Sequence, residues 1–175
     1  RVIRRQLKHY RLLEMPEAWN QITFDDHVHD ANTKGRKSPT HLIMDAWIKG
    51  IRRLRVIHYH YVEPRFASEL LEAAAILGVD VRIGIEFYAH YYDKYVQLIW
   101  VPRGFANAEA FLCFLAEPAV AKVMDAGKAV ARYLQRHVLE LLQRYNAVHR
   151  KDLGQRLGIR LKALDHSAFQ QFVGI

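Results

Sequence analysis

Hydrophobic and polar positions change their spacing several times along the first hundred residues. Short runs of β-forming side chains occupy residues 22–28, 54–60, 79–87 and 96–101. In the gaps after the first two runs, apolar residues recur every three or four positions, which predicts helices with one buried face. A proline opens each helix and a glycine closes it, at Ser38-Pro39 to Gly50 and at Glu63-Pro64 to Gly78. The order β-α-β-α-β predicts parallel strands with right-handed crossovers, in half of a barrel or in an open α/β sheet.

The spacing of apolar residues becomes helical throughout the remainder of the chain. It predicts helices over 107–115, 118–145 and 148–165, and a last helix capped by Asp165 or Ser167. Residues 2–13 also predict an amphipathic helix, which Pro16 ends. We therefore expect residues 1–104 to hold this first helix and half of a barrel (23–104), with 105–175 as a helical insertion or subdomain. A stripe in the long helix, from Val120 to Tyr145, is typical of a packed interface, and His137 on it is interpreted as a packed side chain.

Metal-capable side chains lie at the ends of three successive predicted strands. His27 and His29 end the first, His60 ends the second and Glu86 ends the third. Strand side chains alternate between faces, so His27 and His29 point the same way and can hold a cation together. Ten histidines in 175 residues make one close pair common by chance. The repetition at strand ends favours a divalent metal site, because parallel α/β folds place their chemistry there.

These residues resemble the PHP (polymerase and histidinol phosphatase) domain family. The resemblance rests on Asp25-Asp26-His27-Val28-His29, His58-Tyr59-His60 and Gly84-Ile85-Glu86, which occur in the order and spacing of the family's first three motifs. It implies an α/β fold of the parallel (β/α) barrel type, distorted and seven-stranded, of which this chain holds the first strands. It also implies His27, His29, His60 and Glu86 as ligands of two or three Zn, Mn or Fe ions, with Glu86 bridging two of them.

The sequence departs from the family pattern in three respects, of which the first is Asp26 in place of a leucine in the first motif. Tyr59 stands where the family has an aspartate, and His58 stands where it has a threonine. The later ligand motifs do not occur before Ile175, so we expect either further chain or further domains that carry them, or a partial site. His149 and His166 lie in helical surroundings that do not match those motifs.

Charge and composition narrow the class of ligand. The formal charge of +8 and the pI of about 9.7 favour phosphorylated substrates, including nucleic acid. Lys34, Arg36, Lys37 and Arg103 are candidates for binding substrate phosphate, since they follow strand ends.

His58 and His90 are candidates for acid–base catalysis, although aromatic packing around Tyr88–Tyr95 equally explains His90. The single Cys113 predicts a buried thiol in a reducing compartment, and no apolar run is long enough to span a membrane, so we expect a cytoplasmic protein.

Two functions remain open from these residues. The first is a metal-dependent phosphoesterase or nuclease-like hydrolase, in which a His/Glu site activates water against phosphorus. The second is a degenerate, non-catalytic PHP-like scaffold or a nucleic-acid-binding domain within a larger protein, which Tyr59 and the missing later motifs favour. A hydrolase of the amidohydrolase kind also starts with His-x-His, but the lysine that bridges its metals has no counterpart here.

Overall fold

The computed structural model describes residues 23–165 and residue 167. The helices predicted over 2–13 and after Asp165 lie outside this range, apart from Ser167. The strands are β1 (Thr23–Val28), β2 (Ile51–Tyr59), β3 (Asp80–Tyr91) and β4 (Lys94–Trp100). The helices are α1 (Pro39–Ile48), α2 (Pro64–Leu77), α3 (Ala108–Ala116), α4 (Pro118–Arg144) and α5 (Arg150–Leu157), with a π-helical turn at Tyr145–His149. Within the described range, no helix is both long enough and apolar enough to cross a membrane.

The four strands form one sheet in the order β1-β2-β3-β4, curled as half of a barrel. β1 pairs with β2 and β2 with β3 in parallel, as the β-α-β-α-β pattern predicted. The mixed α/β class is therefore confirmed, and closure by further strands into a seven-stranded barrel stays a prediction. β4 departs from the expected parallel barrel, because it runs antiparallel to β3.

β3 and β4 form a long hairpin that the sequence analysis did not predict. Tyr91 pairs with Lys94, so only Tyr92 and Asp93 make the turn, and Tyr92 has the positive φ of 54° that such turns require. Asn-Gly or Asp-Gly is the usual signal for a two-residue turn, and this sequence carries neither. The tyrosine-rich segment is thus a continuous strand pair, whose side chains beyond Phe87 are mostly exposed.

Helices α1 and α2 cover one face of the sheet and bury its core. Every second residue of β2 points toward them, which buries Leu54, Val56 and His58. Ile43 and Leu70 are fully buried on the helix side of the same core. The predicted start of α1 and end of α2 are confirmed. The Ser38 hydroxyl accepts a hydrogen bond from the His41 amide, and Gly78 ends α2 with a φ of 68°.

The predicted apolar stripe of α4 is buried only in its first turns. Val120, Met124 and Gly127 are buried, whereas Val130 and Leu134 are exposed. For the part of the chain that the structure describes, the expectation of a packed interface along the whole stripe is therefore wrong. α4 continues past the edge of the main core, so most of its later side chains are exposed, although Leu142 is buried in its last turn.

Cys113 is exposed, so the expectation of a buried thiol is wrong. The reason is helical periodicity, because α3 turns Phe111 and Leu115 into the core. A residue two positions from Phe111 lies about 200° around the helix axis and therefore faces away from the core.

α4 passes close to the turn that follows β2, and Gly127 permits that close approach. A Cβ atom at Gly127 would lie 2.0 Å from the backbone oxygen of His60. His60 itself has a φ of 66°, an uncommon conformation for a residue with a side chain. Packing of α4 on this turn thus helps to hold the end of β2 in place.

We predict that Gly127→Ala destabilises the protein, although alanine favours a helix over glycine by about 1 kcal/mol. The added methyl group forces α4 away from His60, with an expected cost of about 2 kcal/mol, or about 5 °C in Tm. Thermal unfolding followed by circular dichroism measures this change. Ala126→Ser, at an exposed position of the same helix, is the control and should leave Tm within about 2 °C. A Tm for Gly127→Ala at or above that of the wild type contradicts this packing.

Candidate metal site

His27 and His29 come together at the carboxyl end of β1. The register of β1 slips between Asp25 and Val28, so that Asp26 and His27 together oppose the single residue Arg55 of β2. After this bulge His27 and His29 share a face, and their Nε2 atoms lie 3.2 Å apart. The predicted orientation of the pair is confirmed. Two imidazole nitrogens at this distance need a proton or a cation between them.

Glu86 of β3 completes a cluster with these two histidines. One carboxylate oxygen of Glu86 lies 3.5 Å from Nε2 of His27. The ligand atoms of His27, His29 and Glu86 all lie within 4.8 Å of one another. Glu86 is 6% exposed, and burial of an ionised carboxylate is unfavourable unless a donor or a cation compensates it. The cluster therefore has the composition and the electrostatic need of a cation site.

Gln97 is a site residue that the sequence analysis missed. Its side-chain amide donates a hydrogen bond to Oε1 of Glu86. Glu86 pairs with Ile99 across the hairpin, so Gln97 is its diagonal neighbour on the same face. The hairpin was not predicted, and for this reason no sequence signal linked the two residues.

His29 is held in one orientation by the neighbouring strand. Its Nδ1 lies 2.8 Å from the backbone oxygen of Ile57, and the Thr33 hydroxyl lies 3.3 Å from the same nitrogen. If Nδ1–H donates to Ile57, Nε2 keeps its lone pair for a cation. Burial lowers the pKa of His29, while the bond to Ile57 opposes that shift. Both the orientation and the lowered pKa suit a metal-binding imidazole.

His60, the fourth predicted ligand, lies just beyond the end of β2 and outside the cluster of three. Its backbone amide donates to the carbonyl of Glu86 at 2.8 Å. Burial lowers the pKa of the His60 imidazole, and the negative charge of Glu86 opposes this shift. His60 is therefore close to the site, and its coordination of an ion stays a prediction.

His58 is turned away from the cluster and into the core. It is 2% exposed, and its Nε2 lies 3.7 Å from the carboxylate of Asp30, which is fully buried. Burial lowers the pKa of His58, against the opposing effect of Asp30. Because strand residues alternate, Tyr59 shares the face of Glu86 and His58 does not. The structure thus places His58 in a supporting position and not beside the candidate reacting centre.

Asp30 stabilises the loop from Asp30 to Lys37 by accepting hydrogen bonds from later residues of the same loop. The carboxylate of Asp30 accepts hydrogen bonds from the backbone and side-chain amides of Asn32, and its carbonyl accepts from Gly35. A Cβ at Gly35 would lie 2.1 Å from the oxygen of His29, so only glycine fits this tight turn. Asp30 was not predicted as a site residue, although an aspartate followed by a polar turn is a known signal for such a loop.

The closed loop presents Lys34 to the cluster. The interaction with the Tyr59 side chain raises the pKa of Lys34. The ammonium also lies 5.4 Å from the centre of the Tyr59 ring, and that ring lies 5.0 Å from the ring of His29. Lys34 is therefore a cation beside His29.

Arg36 and Lys37 border the same region but differ in their partners. Lys37 forms an ion pair with Asp45, which Lys49 shares, and this pairing lowers the pKa of Asp45. Arg36 is exposed and forms no ion pair within the described residues. All three predicted cations of this loop line an open groove of about 520 Å³ that also contains His29.

Arg103 and His90 lie elsewhere. The antiparallel course of β4 carries Arg103 to the amino end of β3, so the expectation that Arg103 lies near the metal site is wrong. His90 lies four residues beyond Glu86 in the exposed part of the hairpin, where its ring is 5.1 Å from that of Tyr95. The structure does not bring His90 into the cluster, and this contact accords with aromatic packing.

Comparisons with known proteins give only distant likenesses. No protein-family model and no curated protein matches the chain. One similar structure, from Bifidobacterium adolescentis, is assigned as a metal-dependent phosphoesterase; it has a TM-score of 0.39 and 22% identity over 45% of this chain and 27% of the other. Another is an amidohydrolase from Chromobacterium violaceum with bound sulfate and no metal, with a TM-score of 0.47 and 20% identity over 79% of this chain and 40% of the other. The chain thus spans less than half of either protein.

We predict that a His27→Ala/His29→Ala variant loses bound metal. Removing both imidazoles leaves Glu86 and Gln97, which are too few donors to hold a transition-metal ion. Elemental analysis of protein purified without chelator measures the ratio of metal to chain. His90→Ala, which removes a histidine outside the cluster, is the matched control and should keep its metal. Equal metal content in both variants contradicts the assignment of the site.

We predict that Gln97→Ala weakens metal binding by about tenfold, because hydrogen bonds to metal-binding carboxylates orient them. Isothermal titration of chelator-treated protein with Zn²⁺ or Mn²⁺ measures this affinity. Gln143→Ala, at an exposed position of α4, should leave the affinity unchanged. If Gln97→Ala binds metal as tightly as the wild type, the hydrogen bond to Glu86 has no role in the site.

Proposed function

We propose that this chain carries the metal-binding part of a metal-dependent phosphoester hydrolase. The observation that supports the proposal best is the convergence of His27, His29 and Glu86 within 4.8 Å, at the edge where the parallel pairing of β1, β2 and β3 ends. Two imidazoles and one carboxylate suit Zn, Fe or Mn better than Mg. We propose one cation for this trio and a second, shared with His60, as the PHP resemblance implies.

The groove beside His29 supports a phosphorylated substrate. Lys34, Arg36 and Lys37 border it, and Lys34 is directed toward the cluster by Tyr59. A phosphate oxygen is a strong acceptor for ammonium and guanidinium groups. Among these three cations, Lys37 is neutralised in part by Asp45, so Lys34 and Arg36 are the better phosphate ligands.

Some of the site residues would bind the cation, and others would bind the substrate phosphate. His27, His29 and Glu86 would hold the cation, with Ile57 fixing the ring of His29 and Gln97 fixing the carboxylate. A divalent cation supplies Lewis acidity at a phosphoryl oxygen and neutralises its charge. Lys34 would hold another phosphoryl oxygen and orient the ester over the cluster. None of these roles requires His58 or Arg103.

Tyr59 is the position where this chain differs most informatively from the PHP pattern. The family's aspartate would add a negative charge at this point, whereas here the Lys34 ammonium lies 5.4 Å from the centre of the Tyr59 ring. The change removes a metal-capable carboxylate. It leaves Lys34, a candidate phosphate ligand, beside an uncharged type of side chain. We therefore expect the site to hold fewer ions than the family pattern implies, and its rim to carry more positive charge. The same change supports the second candidate, a non-catalytic scaffold that binds phosphorylated ligands or nucleic acid.

We predict that the protein with Zn²⁺, Mn²⁺ or Fe²⁺ hydrolyses bis-p-nitrophenyl phosphate, and that Glu86→Gln lowers the rate at least about 100-fold. The substitution keeps the shape of the side chain but removes its charge, and with it most of the attraction for the cation. Release of p-nitrophenolate, measured at several metal concentrations, provides the rate. Glu72→Gln, an exposed carboxylate of α2, should match the wild type.

Two outcomes would separate the candidate functions. Equal hydrolysis by Glu86→Gln and the wild type would mean that the observed activity does not come from this site. Stoichiometric metal without hydrolysis of any phosphoester, together with binding of a phosphorylated ligand that Lys34→Ala abolishes, would favour the non-catalytic scaffold.

A further inference from the structure

A second cavity lies at the opposite end of the sheet from the metal site. Its volume is about 580 Å³, within the range of about 300–1,000 Å³ that is usual for small-molecule sites. It is enclosed by the first residues of β3, the loop after β4, the last turns of α2 and the start of α3. Glu86 lies about 10 Å further along β3 than Ile83, the last residue of β3 in the wall, so the two sites are distinct.

The floor of this cavity is apolar. Ala74 of α2, Val79 and Ile83 next to and within β3, and Phe111 of α3 line it and are buried in the main core. The Phe105 ring lies 5.1 Å from the ring of Phe111 and extends this surface. An apolar or aromatic group would therefore displace water from a preformed surface.

The rim of the cavity is positively charged. Arg82 and Arg103 line it, and Asp80 is the one carboxylate among its described lining residues. Asp80 already lies 3.3 Å from the guanidinium of Arg53 and 4.0 Å from that of Arg82. Arg103 has no ion pair or hydrogen bond within the described chain. Asp80 is thus shared between Arg53 and Arg82, and Arg103 has no carboxylate partner among the described residues, which leaves capacity to bind an anion.

We propose that this cavity binds a small organic anion, with an apolar body on the floor and a carboxylate or phosphate head between Arg82 and Arg103. Guanidinium binds both head groups through paired hydrogen bonds. The position of Arg103 follows from the antiparallel β4, which turns the chain back to the amino end of β3. This site does not depend on the metal cluster or on the proposed hydrolysis.

Isothermal titration with 1-naphthoate, 1-naphthylmethylphosphonate and neutral 1-naphthalenemethanol tests the proposal on the whole chain. We expect at least one anion to bind at least about tenfold more tightly than the alcohol, and the tighter of the two identifies the preferred head group. Arg103→Gln and Arg82→Gln should each weaken that binding by about five- to tenfold. Ala75→Phe, which fills the cavity from an exposed position of α2, should abolish it.

Two control variants test whether binding depends on this cavity and not on another arginine or on the metal cluster. Arg65→Gln removes an exposed arginine of α2 that does not line the cavity, and it should bind like the wild type. The His27→Ala/His29→Ala variant should also bind like the wild type. Equal binding of the anions and the alcohol, loss of binding only in the double histidine variant, or no binding in a folded wild type would overturn the proposal. Thermal unfolding of each variant verifies that it is folded.

Discussion

The parallel pairing of β1, β2 and β3 is the constraint on which the candidate site depends. Parallel strands end at the same edge of a sheet, so residues far apart in sequence meet there without any direct signal between them. Tyr59 pairs with Glu86 in register, and Val28 pairs with Val56. The bulge in β1 then turns His27 and His29 toward the same face. A register slip of one residue in β3 would point Glu86 into the core.

The burial of Glu86 explains why its neighbours are arranged as they are. A carboxylate that is 6% exposed needs compensation from donors or cations. Gln97 and His27 provide part of it, and a metal ion would provide the remainder. A buried carboxylate with two adjacent imidazoles has no evident use in packing, which is why the cluster is interpreted as a site for a cation.

The antiparallel β4 divides the chemistry of the chain between two ends of the sheet. Going out along β3 and back along β4, the chain brings Gln97 beside Glu86 and then carries Arg103 to the opposite edge. The basic residues therefore do not form one continuous phosphate-binding surface. Lys34 and Arg36 border the metal cluster, while Arg82 and Arg103 border a separate apolar cavity.

Local sequence rules were sufficient for the first two helices and for the His-x-His pair. Ser38-Pro39 and Gly78 set helix ends through backbone preferences that act within a few residues. The alternation of strand side chains predicted correctly that His27 and His29 share a face. The order of motifs likewise placed Glu86 in a third strand, and the structure brings it to the histidines, but β3 continues past Glu86 to Tyr91.

Tertiary structure alone decided the direction of β4, the partner of Glu86 and the place of Arg103. The Tyr92-Asp93 turn lacks the glycine or asparagine that is typical of a hairpin turn, so the segment between the predicted strands 79–87 and 96–101 was not predicted as part of a hairpin. Cys113 and His58 show the same limit, since helix and strand periodicity is visible in the sequence but the buried face is not. The sequence by itself determined which segments are strands and helices near the site and which side chains they carry, because that depends on neighbouring residues. Which of them meet depends on strand pairing between distant segments, and only the folded chain sets it.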